Sequence, residues 1–201
     1  MGSTHDVRRL VLCGVMLASS TLIAAAASWS RADADAFNTK LIQIGTNGLA
    51  EKPAARRVTV LEREVNAYLN VTAKRDLPPG VLDPVIRILP DGKLNGRATV
   101  DLDAVRNQKE RGMLSPWALV RGTVPVEAVG TLRTQNGVGA FTLETATIGG
   151  IPVPKTVLQE VVSYYSRSES QPNGVDFEAP FRLPARIREI QTRQGQALVV
   201  Q

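Results

Sequence analysis

Apolar and polar residues alternate through residues 94–102. Leu94, Gly96, Ala98, Val100 and Leu102 fall on one side, and Lys93, Asn95, Arg97, Thr99 and Asp101 on the other. A period of two predicts a strand with one wet face, as in an antiparallel sheet. Residues 85–89 are apolar apart from Arg87, and Pro90-Asp91-Gly92-Lys93 supplies residues that tolerate positive φ, so the two runs form a hairpin. Residues 123–134 alternate in the same way, turn at Asn136-Gly137 and return over 139–148 with Phe141 and Leu143 inward. The alternation slips near Thr145, which predicts a bulge. A last hairpin, 187–192 with 196–200, turns at Gln194-Gly195.

Helical spacing interrupts this pattern at several places. Phe37, Leu41 and Ile44 predict a short amphipathic helix over 35–44, ended by Gly45-Thr-Asn-Gly48, with a polar linker after it. Thr59 and Glu62 have the spacing of a capping box, and Leu61, Val65, Tyr68 and Leu69 form a stripe, so a helix is expected over 60–72. Asp76-Leu-Pro-Pro-Gly80 closes it. Residues 103–111 read as a short helix or loop, and Ser115-Pro116 starts a helical turn that stops at Gly122. Pro154 opens the last helix, with Val157, Leu158, Val161, Val162 and Tyr165 as its stripe, and 168–180 is loop.

Tight turns between strands make an antiparallel sheet, and the amphipathic helices bury their stripes on it. The expected fold class is α+β: a curled antiparallel sheet of about six strands on two main helices. There is no βαβ alternation and no internal repeat.

The start of the chain has a different character. Arg8 and Arg9 precede an apolar run over 10–27, and Ala32-Asp33-Ala34 fits a signal-peptide cleavage site. The chain thus divides into a signal peptide (1–34), a short helix and linker (35–58) and one α+β domain (59–201). The expected location is the periplasm or the extracellular space; an uncleaved membrane anchor is the alternative, because the run is nearly long enough to span a bilayer.

Chemistry is limited by what cleavage removes. The only cysteine, Cys13, and the only histidine, His5, both lie in the signal segment. The remaining chain cannot build Ser-His-Asp or Cys-His machinery, nor a histidine or cysteine metal site. Asp101 and Asp103 are too few for an oxygen-ligated cation, and Asp103 suits a helix cap. No phosphate-binding glycine loop or nucleophile elbow is present. No catalytic residue, metal or cofactor is expected. After residue 34 the chain holds 21 basic and 17 acidic residues, a net charge of +4 that favours anionic membrane surfaces. Export and an aromatic content of 4% argue against nucleic acid as a partner.

Three segments together carry a resemblance: the Thr59 to Leu69 helix with Glu62 and Asn66, the Gly96-x-Ala-x-Val-Asp101-Leu strand, and Gly149-Gly-Ile-Pro-Val-Pro154 leading into a helix. They resemble small exported bacterial proteins similar to the TULIP-like (tubular lipid-binding) superfamily. The resemblance spans Val58 to Val200 and implies a long curled sheet wrapping a helix, with an apolar ligand between them. It implies no catalytic residue. On this reading the protein binds or shuttles a lipid or other apolar molecule. Leu61, Val65 and Leu69 of the first stripe, with Val157, Val161 and Tyr165 of the second, border the groove. The alternative is an envelope structural or protein-interaction module whose core is fully packed.

Overall fold

The computed structural model describes residues 29–107, 122–167 and 172–201. Residues 1–28 of the expected signal peptide, the helical turn expected after Ser115 and the start of the 168–180 loop lie outside the described residues.

Helix α1 (Arg31–Leu49) is longer at both ends than its apolar spacing suggests. Ser30 caps it, its hydroxyl oxygen accepting from the Asp33 N–H at 3.4 Å. The helix runs through Gly45 and Gly48, and the second glycine serves a tertiary contact. A Cβ on Gly48 would strike the Ala185 backbone, so glycine allows helix and loop to touch.

Strand β1 (Arg57–Leu61) occupies the expected linker and the expected first turn of the next helix. Thr59 therefore does not cap a helix. The β-branched run Val58-Thr59-Val60 pairs with β9 (Gln196–Val200), Val58 opposite Val199 and Val60 opposite Ala197. Cross-strand packing outweighs the helical reading here. Helix α2 (Glu62–Ala67) starts only after the strand ends, then widens into a π turn at Tyr68–Thr72 and tightens into a 3-10 turn at Ala73–Arg75. The Glu64 carboxylate takes the Leu61 N–H at 3.0 Å, forming one half of a capping box; Leu61 has no side-chain acceptor for the other half.

The strands build two sheets instead of one. The three-stranded sheet has the order β1-β9-β8, with β8 at Glu189–Arg193. The larger sheet contains β2 (Val81–Ile88), β3 (Lys93–Asp101), β4 (Thr123–Gln135), β5 (Val138–Ile148) and β6 (Ile151–Pro152), in sequence order, with β7 (Phe181–Arg182) also paired to β5. All pairings are antiparallel, so the α+β class and a six-stranded sheet are as expected. Asp91, Gly92, Asn136, Gly137 and Gly195 all have positive φ at the expected turns. Val129 pairs with Thr145 and Gly130 with Leu143, so Glu144 is the extra residue of a bulge beside Thr145. Short helix α3 (Leu102–Asn107) follows β3, and α4 (Lys155–Ser166) follows β6.

Side-chain and backbone hydrogen bonds join the two sheets. The Thr134 hydroxyl accepts from the Ile190 N–H at 2.8 Å and donates to the Ile190 carbonyl at 3.0 Å. The Gly137 N–H donates to the Arg188 carbonyl, and the Gly195 N–H to the Ile88 carbonyl. The main core lies under the smaller sheet: Ile44, Val60, Leu183, Ile187 and Val199 are buried together, with Phe37, Val58, Val65, Ala185 and Ile190 packed around them. Helix α1 is thus part of the core through Ile44.

Candidate functional site

Helix α2 lies along β2, an edge strand of the larger sheet. Its polar side chains take the place of a missing neighbour. Glu62 accepts from the Ile88 N–H at 2.7 Å, Asn66 pairs with both backbone groups of Ile86, and the Asn70 amide donates to the Pro84 carbonyl at 2.8 Å. Asn66 is 3% exposed. The motif residues Glu62 and Asn66 are therefore occupied in closing a strand edge.

The six residues expected to border a groove fall into two groups. Leu61, Val65 and Leu69 are half-buried along β1, α2 and the π turn. Val65 packs against the main core. Val157 is half-buried on α4; Val161 and Tyr165 follow on that helix, and their side chains lie outside the described residues. Helix α2 packs on α1, β1 and β2, whereas α4 packs on β5. The two groups join the larger sheet at strands separated by β3 and β4, a span of about 14 Å at ordinary strand spacing. Tyr68 does not join either group; its ring meets Phe37 edge-on at 5.1 Å.

Between these attachment points the apolar face of the sheet is half open. Leu94, Ala98 and Val100 of β3 and Val124, Val126 and Leu132 of β4 are all partly exposed, although they lie on central strands. Leu143 and Ala146 on β5 and Ile88 on β2 are buried. The open strip runs along β3, whose nine residues extend about 30 Å.

The opposite face carries paired charges. Glu127 accepts from Asn95 at 2.7 Å and Arg97 at 3.1 Å, and these bonds hold its carboxyl below the usual range. The Thr131 hydroxyl, at 2.6 Å, and Lys93 do the same for Glu144.

A third feature was not anticipated from the sequence. Two adjoining concavities, of about 760 and 450 Å³, meet around the β4–β5 turn. Arg57, Arg133 and Arg188 line the first, and Arg182, Arg186 and Arg188 the second. All five arginines are exposed, and among the described residues none is in ion-pair reach of a carboxylate. Glu189 is the acidic residue in the lining. Ala185 and Arg186 both have left-handed backbones, at φ 51 and 54, and Arg186 donates to the Ala50 carbonyl at 3.2 Å. The clue in the sequence was Arg182, Arg186 and Arg188 within one short segment, but Arg57 and Arg133 join them only through folding.

Asp101 is the cap of α3, accepting from the Asp103 and Ala104 N–H groups; Asp103 accepts from Gly122 instead. No cluster of three metal-ligating side chains occurs among the described residues. No helix among them is long and apolar enough to cross a membrane.

Fold and site together define an α+β protein with two antiparallel sheets, a half-open apolar face and an arginine-lined recess. No protein-family model, curated protein or solved structure matches the chain.

Proposed function

We propose that this is an exported, non-catalytic protein of the cell envelope that holds a lipid or another apolar molecule along the open face of its larger sheet. The observation that carries the reading is the partial exposure of Leu94, Ala98 and Val100 on β3 and of Val124, Val126 and Leu132 on β4. Central strands normally bury their apolar face, since each Å² of apolar surface left in water forgoes about 25 cal/mol. An extended apolar ligand would recover that burial, and a strip about 30 Å long suits a chain-like molecule. The resemblance to TULIP-like proteins points to the same ligand class.

Mass spectrometry of lipids that co-purify with the protein tests this directly. A second test is Ala98→Trp, which places a large ring on the strip opposite Val126. It should block uptake of an apolar fluorescent probe while leaving the melting temperature within a few degrees of wild type. Wild-type protein that carries no lipid and takes up no probe would end this reading.

The second reading is a protein-interaction module, favoured by the exposed apolar residues Ile42 and Leu49 on α1. Loss of partner capture in Ile42→Asp, with probe uptake unchanged, would favour it.

A further inference from the structure

We infer that the arginine-lined recess at the β4–β5 turn binds phosphate-bearing anions, and that the source is the headgroup layer of an anionic membrane. The inference takes the membrane source from the lipid-binding reading above, but the site stands on its own geometry.

Five guanidinium groups gather from four parts of the chain: Arg57 on β1, Arg133 on β4, Arg182 on β7, and Arg186 and Arg188 before β8. Like charges so gathered repel one another and raise a positive potential over the recess that attracts anions. Here the described carboxylates make their ion pairs elsewhere: Glu64 with Lys40, Asp33 with Arg63, Glu127 with Arg97, Glu144 with Lys93 and Glu178 with Lys155. Glu189 sits across Val200 from Arg57, two strand spacings or about 10 Å away, and balances only part of the charge.

Arginine suits phosphate oxygens because its planar fork donates two parallel hydrogen bonds. The Thr134, Gln135 and Asn136 stretch adds polar groups to the lining, and Val138, Ala140 and Val200 add apolar surface. This mixture matches the boundary between headgroups and acyl chains. The recess lies at the turn end of β4 and β5, and none of the strip residues Leu94, Ala98, Val100, Val124, Val126 and Leu132 lines it. It is therefore separate from the apolar strip. A protein docked through the recess leaves that strip free.

The test is sedimentation of the purified protein with phosphatidylcholine vesicles, with and without phosphatidylglycerol. Binding is expected only with the anionic lipid and should weaken as salt rises. Arg133→Ala and Arg188→Ala should each weaken it about fivefold, and the double variant about twenty-five-fold. Arg75→Ala, an equal charge change outside the recess, should have no effect. Thermal melts should be unchanged in all of them, since these side chains are exposed.

Equal binding to neutral vesicles, wild-type binding by the double variant, or an equal loss in Arg75→Ala would overturn the proposal. Stoichiometric binding of inorganic phosphate without vesicle association would overturn the membrane source. So would tighter binding to an oligonucleotide than to vesicles. Lipid co-purifying with the double variant at wild-type levels supports two separate sites. Vesicle binding by wild-type protein that carries no lipid supports the recess and rejects only the apolar-ligand reading.

Discussion

Asn66 holds Ile86 by both ends of its amide: Nδ2 donates to the Ile86 carbonyl at 2.9 Å, and Oδ1 accepts from the Ile86 N–H at 2.7 Å. The side chain thus imitates one rung of a strand. Glu62 and Asn70, four residues to either side, bond Ile88 and Pro84, two residues to either side of Ile86. The match is geometric. Four helical residues advance about 6 Å and two strand residues about 6.8 Å, so a helix laid beside an edge can meet it at alternate residues.

Replacing Asn66 with Leu should leave two backbone groups of Ile86 without partners in a partly buried place. At about 1–3 kcal/mol for each unmet group, a loss of about 2–6 kcal/mol is expected. Urea unfolding measures it, and a midpoint equal to wild type would show that the amide is not closing the edge.

The expected cleavage site after Ala34 lies in the first turn of α1, where Ala34 is 0% exposed and Ser30 supplies the cap. A protein beginning at Asp35 should be less stable than one beginning at Ser28. Loss of the cap alone costs about 1 kcal/mol. Paired thermal melts would reveal the difference, and identical curves would show that the first turn contributes nothing.

Acid should weaken the fold through Glu127 and Glu144. Hydrogen bonds lower both carboxyl pKa values in the folded state. Their stabilisation is therefore complete above the ordinary glutamate value of about 4.3, and is lost as pH falls through the lowered folded values. In the Glu127→Gln, Glu144→Gln double variant, the stability curve should be flatter across that acid window. Fluorescence-monitored unfolding at stepped pH would detect this, and a curve parallel to wild type would count against it.

Gly137 has φ 79, donates to Arg188 and accepts from the Leu183 N–H. Gly137→Val should cost about 2 kcal/mol or more, because a β-branched residue resists the left-handed region. The same change should weaken vesicle binding, since the turn positions the segment bearing Arg182 and Arg188. A stable variant with wild-type vesicle binding would separate the turn from the recess.

Much of the fold was legible because it depends on local pattern. The period of two in β3 to β5, the Asp91-Gly92 and Asn136-Gly137 turns and the slip near Thr145 all reflect how one strand meets the next. The groove residues were less legible. Leu61 to Leu69 formed a continuous helical stripe, yet Leu61 is the last residue of β1 and Val65 belongs to the main core.

By itself, the sequence determined the α+β class, the hairpins, the wet and apolar faces of β3 and the lack of histidine and cysteine beyond the first segment. Those follow from the chemistry of each residue and its near neighbours. Tertiary structure decided that Arg57–Leu61 is a strand, since the β-branched run Val58-Thr59-Val60 competes locally with a helical stripe and its partner β9 lies some 140 residues away. It also decided that Glu62, Asn66 and Asn70 close the edge of β2. The recess has the same origin: arginines far apart in the chain become one site only when β1, the β4–β5 turn and the segment before β8 are brought together by long-range pairing.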